Sequence, residues 1–244
     1  VETPSGILNC VGLENPGVDV FLKETLPQLK AYDTKVIVNI DGDSAAEYGE
    51  LAAMLDVDGV DALELNISCP NVAQGGLAFG TSCSAAAQVV EAAKKRTHKP
   101  IITKLSPNVT DITEIARAVE AAGTDMISLI NTLVGMKIDI QTQKPVLGNI
   151  MGGLSGPAVR PVAVRMVYQV AQAVKVPLIG MGGITCAADA IEFFLAGASA
   201  IAVGTANFDN PRLAETISQG IAAYLIDHNL ENIRDLVGKA LPNQ

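Results

Sequence analysis

The chain has 244 residues, a formal net charge of -9 and 49% apolar residues, which is sufficient for a sizeable buried core. No run approaches eighteen consecutive apolar residues, so a membrane span is not expected. The negative charge, without a basic cluster, argues against binding to nucleic acid or to an anionic membrane surface. The cysteines (Cys10, Cys69, Cys83 and Cys186) form no C-x-x-C pair. We therefore predict neither a zinc site nor a disulfide framework, and we expect a cytoplasmic protein.

Short apolar segments alternate along the chain with amphipathic, alanine-rich segments, a pattern typical of strands and helices in alternation. The predicted strands are Val36–Ile40, Ala62–Ser68, Ile101–Leu105, Met126–Asn131, Pro177–Gly180 and Ala200–Gly204. The predicted helices are Ser44–Leu55, Ser84–Lys95, Asp111–Ala122, Ala158–Val174 and Ala187–Ala196. The predicted helix N-caps are Ser44, Ser84, Asp111 and Thr185, and the predicted C-cap glycines are Gly123 and Gly197.

Strict alternation of strands and helices predicts a parallel α/β sheet, either doubly wound or closed into a (β/α)8 TIM barrel. No G-x-G-x-x-G follows an early strand, and glycines instead follow the last two strands, in Gly180–Ile184 and Ala202–Thr205. This placement favours the TIM barrel, whose phosphate site lies on the loops after its seventh and eighth strands. The predicted strands are then the third to eighth. The first two βα units, roughly 50–60 residues, would be missing from a single barrel domain over residues 1–244.

Polar residues stand at the ends of the first four predicted strands: Asn39, Asn66, Lys104, and Asn131 with Thr132. A barrel builds its active site at the carboxyl ends of its strands, so these side chains should converge. Each amide alone is more often a loop cap. Lys104 lies in an otherwise apolar strand, where it needs an acceptor. An ion pair, snorkelling to the barrel mouth, a phosphosugar or an electron-rich ring would each satisfy it.

Cys69 lies in the segment Asn66–Asn71, beside two carboxamides at the barrel mouth. A lone cysteine is more often a small buried hydrophobe. In this setting it could instead act as a base or nucleophile.

The connection over residues 132–157 is too long for an ordinary βα loop. Within it, Lys137–Ile140 and Pro145–Leu147 predict a β-hairpin. Long excursions at this end of a barrel are often lids or partner surfaces. The following Gly152–Gly156 segment has backbone freedom that would let it approach a ligand closely.

The motifs NISCPN, TKLSPN, INTLVGMKIDI, GGLSGPA, GMGGI and AVGTANF occur in this order along the chain. Together they resemble the catalytic subunit of class 1B dihydroorotate dehydrogenase over essentially the whole chain. The resemblance implies an FMN-containing TIM barrel that oxidises (S)-dihydroorotate to orotate in pyrimidine (UMP) biosynthesis. It also implies a partner subunit with FAD and [2Fe–2S], which passes electrons to NAD⁺ in a heterotetramer of two catalytic and two electron-transfer subunits.

The resemblance also assigns roles to residues. Cys69 would be the base that removes the C5 proton while hydride passes from C6 to the flavin, and Lys104 would stabilise the anionic reduced flavin. The residues implied to bind substrate are Asn9, Cys10, Val11, Gly12, Leu13, Asn66, Asn71, Asn131 and Thr132. The residues implied to bind FMN are Asn39, Asn66, Lys104, Ile130 and Gly156, with Gly182, Gly183, Gly204 and Thr205 at its phosphate.

Several alternatives stay open. A lysine and a serine that contact flavin upstream in the family have no counterpart here, so we expect residues 1–244 alone to be unstable or inactive. Class 1A, fumarate-reducing dihydroorotate dehydrogenases are related. The pyrimidine-reducing domain of dihydropyrimidine dehydrogenase is similar too, but Phe79 and Asn71 stand where that enzyme has its cysteine and a histidine. A flavin-free isomerase or aldolase acting on phosphosugars, or a noncatalytic fragment, would also be compatible with the glycine loops.

Overall fold

The computed structural model describes residues 1–68 and 79–242. Its strands are β1 (Glu2–Thr3), β2 (Gly6–Asn9), β3 (Ile37–Ile40), β4 (Ala62–Asn66), β5 (Ile101–Lys104), β6 (Met126–Leu129), β7 (Leu133–Met136), β8 (Ile138–Asp139), β9 (Lys144–Pro145), β10 (Met151–Ser155), β11 (Leu178–Met181) and β12 (Ala200–Ala202). Its α-helices are α1 (Val18–Val20), α2 (Leu26–Leu29), α3 (Ala45–Met54), α4 (Cys83–Lys94), α5 (Ile112–Ala121), α6 (Arg160–Ala171), α7 (Ala187–Leu195) and α8 (Leu213–Asp227). A π-helical stretch (Phe21–Thr25) joins α1 to α2, and 3-10 turns cover Pro157–Val159, Thr205–Asn207 and Ile233–Leu236.

Six strands form one parallel sheet in the order β12-β11-β6-β5-β4-β3. This order is the wall of a TIM barrel from its third to its eighth strand, as predicted. Within the described residues β3 and β12 each have a single neighbour and do not pair with each other, so the sheet is an open arc. The chain therefore has the fold of a partial TIM barrel.

The register assigns the two faces of this sheet. Because successive side chains of a strand alternate between faces, Glu64 and Asn66 share one face of β4, with Ile102 and Lys104 beside them on β5. The other face carries buried apolar residues such as Leu63 and packs against the helices. The first face, turned toward the barrel interior, therefore carries the polar residues, and we call it the inner face.

Helices cover the other face in the manner predicted. Ser44 caps α3 by accepting from Glu47 N, and Asp111 caps α5 by accepting from Thr113 N. Two predicted caps are wrong. Ser82, not Ser84, caps α4, which begins at Cys83, and Cys186 precedes α7 without a side-chain cap.

Thr185 binds the Asp189 carboxylate instead of capping α7. Both predicted C-cap glycines have positive φ, at 97° for Gly123 and 114° for Gly197. No helix within residues 1–68 and 79–242 is long and apolar enough to cross a membrane.

A second, antiparallel sheet has the order β1-β2-β10-β7. It joins the first strands of the chain to the excursion over residues 132–157, since β10 pairs with both β2 and β7. The small β8–β9 pair lies where the sequence predicts a hairpin, with Ile138 opposite Pro145. The pairing of β2 with β10 was not predicted, because it joins segments more than a hundred residues apart along the chain.

Candidate active site

A cleft of about 910 Å³ lies along the inner face and the carboxyl ends of the parallel strands. Apolar residues including Ile102 and Ile179 line its wall. The antiparallel sheet contributes Leu154 and Ser155. The predicted flavin residues that line the cleft are Lys104, Ile130, Gly156, Gly182, Gly183, Gly204 and Thr205. The cleft is therefore formed by both sheets and by the glycine loops.

Three polar side chains form a hydrogen-bonded cluster at the ends of β4 and β6. Asn131 donates from Nδ2 to Ser68 Oγ at 2.8 Å and to Asn66 Oδ1 at 3.3 Å, and Ser68 Oγ donates to the same Oδ1 at 3.0 Å. Asn131 Oδ1 accepts from Thr132 N at 2.7 Å. Asn66 Nδ2 has no hydrogen-bond partner within the described part of the chain, although Asn66 is only 3% exposed. A buried amide donor in this state requires an acceptor from a ligand or water.

Tyr48 holds the end of β4 from the helical side. It is fully buried on α3, and its hydroxyl donates to the carbonyl oxygen of Asn66 at 2.9 Å. The same hydroxyl lies 3.4 Å from Asp41 Oδ1. Burial raises the pKa of Asp41 to about 6; the Tyr48 hydroxyl opposes this rise, and the charges of Asp43 and Glu47 add to it. The Tyr48 hydroxyl thus links the Asp41 carboxyl to the backbone carbonyl of Asn66.

Lys104 projects from β5 into the cleft, with register partners Asn66 on β4 and Ser128 on β6. No hydrogen bond or ion pair engages its ammonium within residues 1–68 and 79–242. An ion pair was one of the explanations that the sequence allowed for this lysine. The structure shows none among these residues. A half-buried ammonium without an internal partner is available to an anion or to an electron-rich ring.

Glu64 lies on the same face, two residues before Asn66. Its Oε2 accepts from Asn39 Nδ2 at 2.5 Å, and its Oε1 accepts from Ser128 Oγ at 2.6 Å. Sequence reasoning missed Glu64, Ser68 and Ser128. The signal that could have found Glu64 is its even spacing from Asn66, which places both on one face of a strand.

The glycine loops after β11 and β12 approach the cleft with free backbone donors. The N–H groups of Gly183, Gly204 and Thr205 form no hydrogen bond within the described chain. Gly183 has φ of 74°, and an added Cβ would lie 2.7 Å from Gly156 O and 2.9 Å from Arg160 Cβ. Because a side chain at this position has no room, the loop depends on glycine. Backbone N–H groups clustered in this way fit a phosphate.

A partly buried ion pair between Arg160 and Asp189 supports the loop after β11. Asp189, only 5% exposed, accepts from Thr185 N at 2.8 Å and from Thr185 Oγ1 at 2.7 Å, and it is bonded to Arg160. Burial opposes ionisation of Asp189, but the bonds from Thr185 and Arg160 outweigh it and lower its pKa. The carboxylate therefore anchors the loop to α6 and α7.

The predicted substrate residues fall into three groups. Asn66, Asn131 and Thr132 lie together, and the last two line the cleft. Cys69 and Asn71 lie outside the described residues. The segment Asn9–Leu13 does not line the cleft.

That segment nevertheless begins close to the cleft. Asn9 pairs with Gly153, and an added Cβ at Gly153 would collide with the side chain of Thr132. Val11, by contrast, is 70% exposed. Asn39 and Asn66, both predicted to contact flavin, do not line the cleft but are bonded to Glu64 and Asn131, which do. No group of three or more His, Cys, Asp or Glu residues that could hold a metal occurs among the described residues.

A parallel β/α sheet with polar side chains at the carboxyl ends of its strands and glycine loops after its last two strands defines a protein of the TIM-barrel class. A family model described as dihydroorotate dehydrogenase matches residues 1–225. The chain belongs to the dihydroorotate dehydrogenase family, which is flavin-dependent.

Its relatives include proteins named dihydroorotate dehydrogenase B (NAD(+)), catalytic subunit. The protein from Desulforamulus reducens is 60% identical over 241 residues, which cover 98% of this chain and 79% of the relative. The one from Citrifermentans bemidjiense is 56% identical over 239 residues, covering 98% and 78%. The one from Brachyspira hyodysenteriae is 54% identical over 241 residues, covering 98% and 79%.

Among solved structures, DHODH from Eimeria tenella in complex with ferulenol superposes with a TM-score of 0.79 at 22% identity. The match covers 95% of this chain and 70% of that one. This likeness supports the fold.

Proposed function

We propose that this chain is the catalytic subunit that oxidises (S)-dihydroorotate to orotate in pyrimidine biosynthesis, with FMN as its cofactor. The observation that carries the proposal is a pair of donors on one face of the sheet, Asn66 Nδ2 and Lys104 Nζ, at paired register positions on β4 and β5. Neither donor has a partner among the residues that the structure describes. The family to which the chain belongs catalyses this oxidation.

The amide cluster suits the substrate. Dihydroorotate has a ring edged with N–H and C=O groups and a carboxylate, and carboxamides offer both donors and acceptors to such an edge. Asn66 Oδ1 already accepts from Ser68 and Asn131. Asn66 is therefore oriented to donate from Nδ2 toward a carbonyl or carboxylate oxygen. Asn131, Thr132, Asn71 and the segment Asn9–Leu13 would complete the substrate site.

The cofactor assignment rests on the free donors of the cleft. The N–H groups of Gly183, Gly204 and Thr205 would hold the FMN phosphate, and Lys104 would place a positive charge beside the ring. When bound, FMN supplies the hydride acceptor for the oxidation. Lys104 would stabilise negative charge that develops beside it, because no carboxylate of the described residues pairs with its ammonium. Asn39, Ile130, Gly156 and Gly182 would complete this site.

Cys69 would act as the base that takes the C5 proton of the substrate. It follows directly in the sequence after Ser68, whose hydroxyl belongs to the amide cluster. A cysteine needs a partly accessible setting with nearby cations or donors to act as thiolate. The cluster and the cleft would supply such donors.

The relatives' names support a two-subunit enzyme. Each is called the catalytic subunit of an NAD(+) type enzyme. We propose that a partner subunit carrying FAD and [2Fe–2S] receives the electrons and passes them to NAD⁺, in a heterotetramer of two catalytic and two electron-transfer subunits. The partner subunit would contact the excursion over residues 132–157, which carries exposed apolar side chains such as Ile138 and Ile140.

The experiment is an anaerobic titration of the holoenzyme with dihydroorotate, followed by visible absorbance. We expect the bound flavin to bleach, and to bleach much more slowly in the Cys69→Ala variant. Cys83→Ala is the matched control, since Cys83 is an exposed cysteine that does not line the cleft. A colourless holoenzyme, or a flavin that dihydroorotate leaves oxidised, would overturn the proposal and favour a phosphosugar enzyme.

A further inference from the structure

Glu64 is an acidic residue on the inner face of β4, the strand next to the edge strand β3. Its carboxylate on β4 receives one hydrogen bond from the neighbouring strand β3, through Asn39, and one from β6, through Ser128. The second bond reaches past β5, the strand that carries Lys104. Both oxygens of Glu64 are therefore satisfied by neutral donors, and no ion pair forms with Lys104.

The chemistry of these bonds determines how the Asn39 amide is oriented. An ionised carboxylate accepts hydrogen bonds and donates none, so Asn39 must turn its NH2 group toward Glu64. Its Oδ1 is thereby left as an acceptor, and this oxygen has no partner within residues 1–68 and 79–242. Asn39 itself does not line the cleft, but it shares the inner face of β3 with Ile37, which does, and it is bonded to the cleft residue Glu64. The Ser128 hydroxyl is committed in the same way, because its single hydrogen is donated to Oε1.

We infer that Glu64 is a positioning residue that presents Asn39 Oδ1 as the acceptor for an N–H donor on the edge of the cofactor ring. This inference rests on the proposed function, because the ligand it takes is the flavin of that site. An oxidised isoalloxazine has one ring N–H, the imide N3–H, between two carbonyl groups. The predicted consequence is selectivity for flavins that carry this hydrogen.

The orientation matters because an amide has a donor end and an acceptor end of almost the same shape. If Asn39 turned over, its NH2 would face the imide N–H, and two donors would oppose each other. A carboxylate on the other side of the amide prevents this, since turning over would place Oδ1 against the negative charge of Glu64. Fixing the orientation before the ligand arrives also removes an ordering cost from binding.

The test uses the complete enzyme after its flavin has been removed. It compares the dissociation constants of FMN and N3-methyl-FMN, measured by quenching of flavin fluorescence. The variants are Glu64→Met, which removes both hydrogen bonds at similar length, and Glu64→Gln, which keeps the shape with one acceptor oxygen. Asn39→Ala removes the proposed acceptor, so any preference for FMN over N3-methyl-FMN that it retains comes from the bulk of the methyl group. Glu50→Gln, an exposed acid on α3, controls for the change of net charge.

We expect the preference for FMN to fall about three- to tenfold in Glu64→Met, as for loss of one neutral hydrogen bond, and to match that of Asn39→Ala. Glu64→Gln should fall between Glu64→Met and the unsubstituted protein, and Glu50→Gln should keep the full preference. An unchanged preference in both Glu64 variants, or in Asn39→Ala, would overturn the inference while leaving the flavin site in place. A holoenzyme that binds neither flavin would overturn the proposed function and this inference together.

Discussion

Asn131 reaches from the end of β6 to Ser68, just beyond the end of β4, with 2.8 Å between its Nδ2 and the serine Oγ. The two residues lie 63 positions apart in the chain. β5 lies between their strands, so the bond spans the part of the sheet that carries Lys104. The relative position of the substrate amides is therefore set by a fully buried hydroxyl.

Replacing this hydroxyl should weaken substrate binding. In Ser68→Ala, Asn131 loses an acceptor and Asn66 Oδ1 loses a donor, so each amide is held by one hydrogen bond fewer. We expect KM for dihydroorotate to rise about tenfold, since a buried group left without its partner costs ~1–3 kcal/mol. Steady-state kinetics of the holoenzyme measure this, with the exposed Ser84→Ala as control. An unchanged KM in Ser68→Ala would show that the cluster does not order the substrate site.

Removing the positive charge of Lys104 should slow flavin reduction. In Lys104→Met the cleft loses the positive charge proposed to lie beside the developing negative charge. We expect the rate of flavin reduction by dihydroorotate to fall by about 10²–10³-fold. Stopped-flow absorbance at saturating substrate measures this rate. Lys104→Arg, which keeps the charge but changes its shape, should retain more of it. Equal rates in the methionine and unsubstituted proteins would contradict the assignment.

A side chain on the phosphate loop should expel the cofactor. Gly183→Ala places a Cβ against Gly156 O and Arg160 at a φ of 74°, which costs ~1–3 kcal/mol of backbone strain. The loop must then shift, and its N–H groups with it. We expect lower FMN content and a lower Tm in the holoenzyme. Gly148→Ala is the matched control, since no atom lies within 4 Å of an added Cβ there. Full FMN content in Gly183→Ala would place the phosphate elsewhere.

The stability of the protein should depend on the charge of Asp41. Its pKa is raised to about 6 in the folded state, chiefly by burial, so the folded state binds this proton more tightly than the unfolded chain. The free energy of unfolding from this group therefore falls as the pH rises from about 4 to about 6. We expect Asp41→Asn to be more stable than the unsubstituted protein at pH 7.5.

The gain should be ~1 kcal/mol, because the half-buried carboxyl is partly screened by solvent. It should shrink toward zero near pH 3, where Asp41 is protonated in both states. Urea unfolding at the two pH values measures the difference, and Asp227→Asn on the exposed side of α8 is the control. An equal gain at both pH values would attribute the effect to something other than titration.

The order of strands and helices could be read from the sequence because it depends on local periodicity. The predicted segment Ile101–Leu105 became β5 (Ile101–Lys104), and Ala187–Ala196 became α7 (Ala187–Leu195), each within a residue at either end. Short antiparallel strands such as β1 and β7 were missed, since a strand of this kind forms only when its partner is present. Helix α8 was also missing from the prediction, although its fifteen residues are helical throughout.

The candidate site divides in the same way. The sequence by itself determined that Asn66, Lys104 and Asn131 stand at strand ends, that glycines follow the last two strands, and that the motifs belong to one family. These are properties of short segments, so they can be predicted without knowing which residues each segment contacts in the folded protein.

Only the tertiary structure decided which of these groups are already satisfied. Glu64 and Ser128 lie 64 positions apart and meet because the register of three strands brings them to one face. Asn9 reaches Gly153, 144 positions away, because β2 pairs with β10. No local sequence pattern predicts this pairing. Whether a polar side chain has a hydrogen-bond partner depends on the assembled sheet. Only once its register is set do Lys104 Nζ, Asn66 Nδ2 and Asn39 Oδ1 stand out as groups without a partner in the described part of the chain.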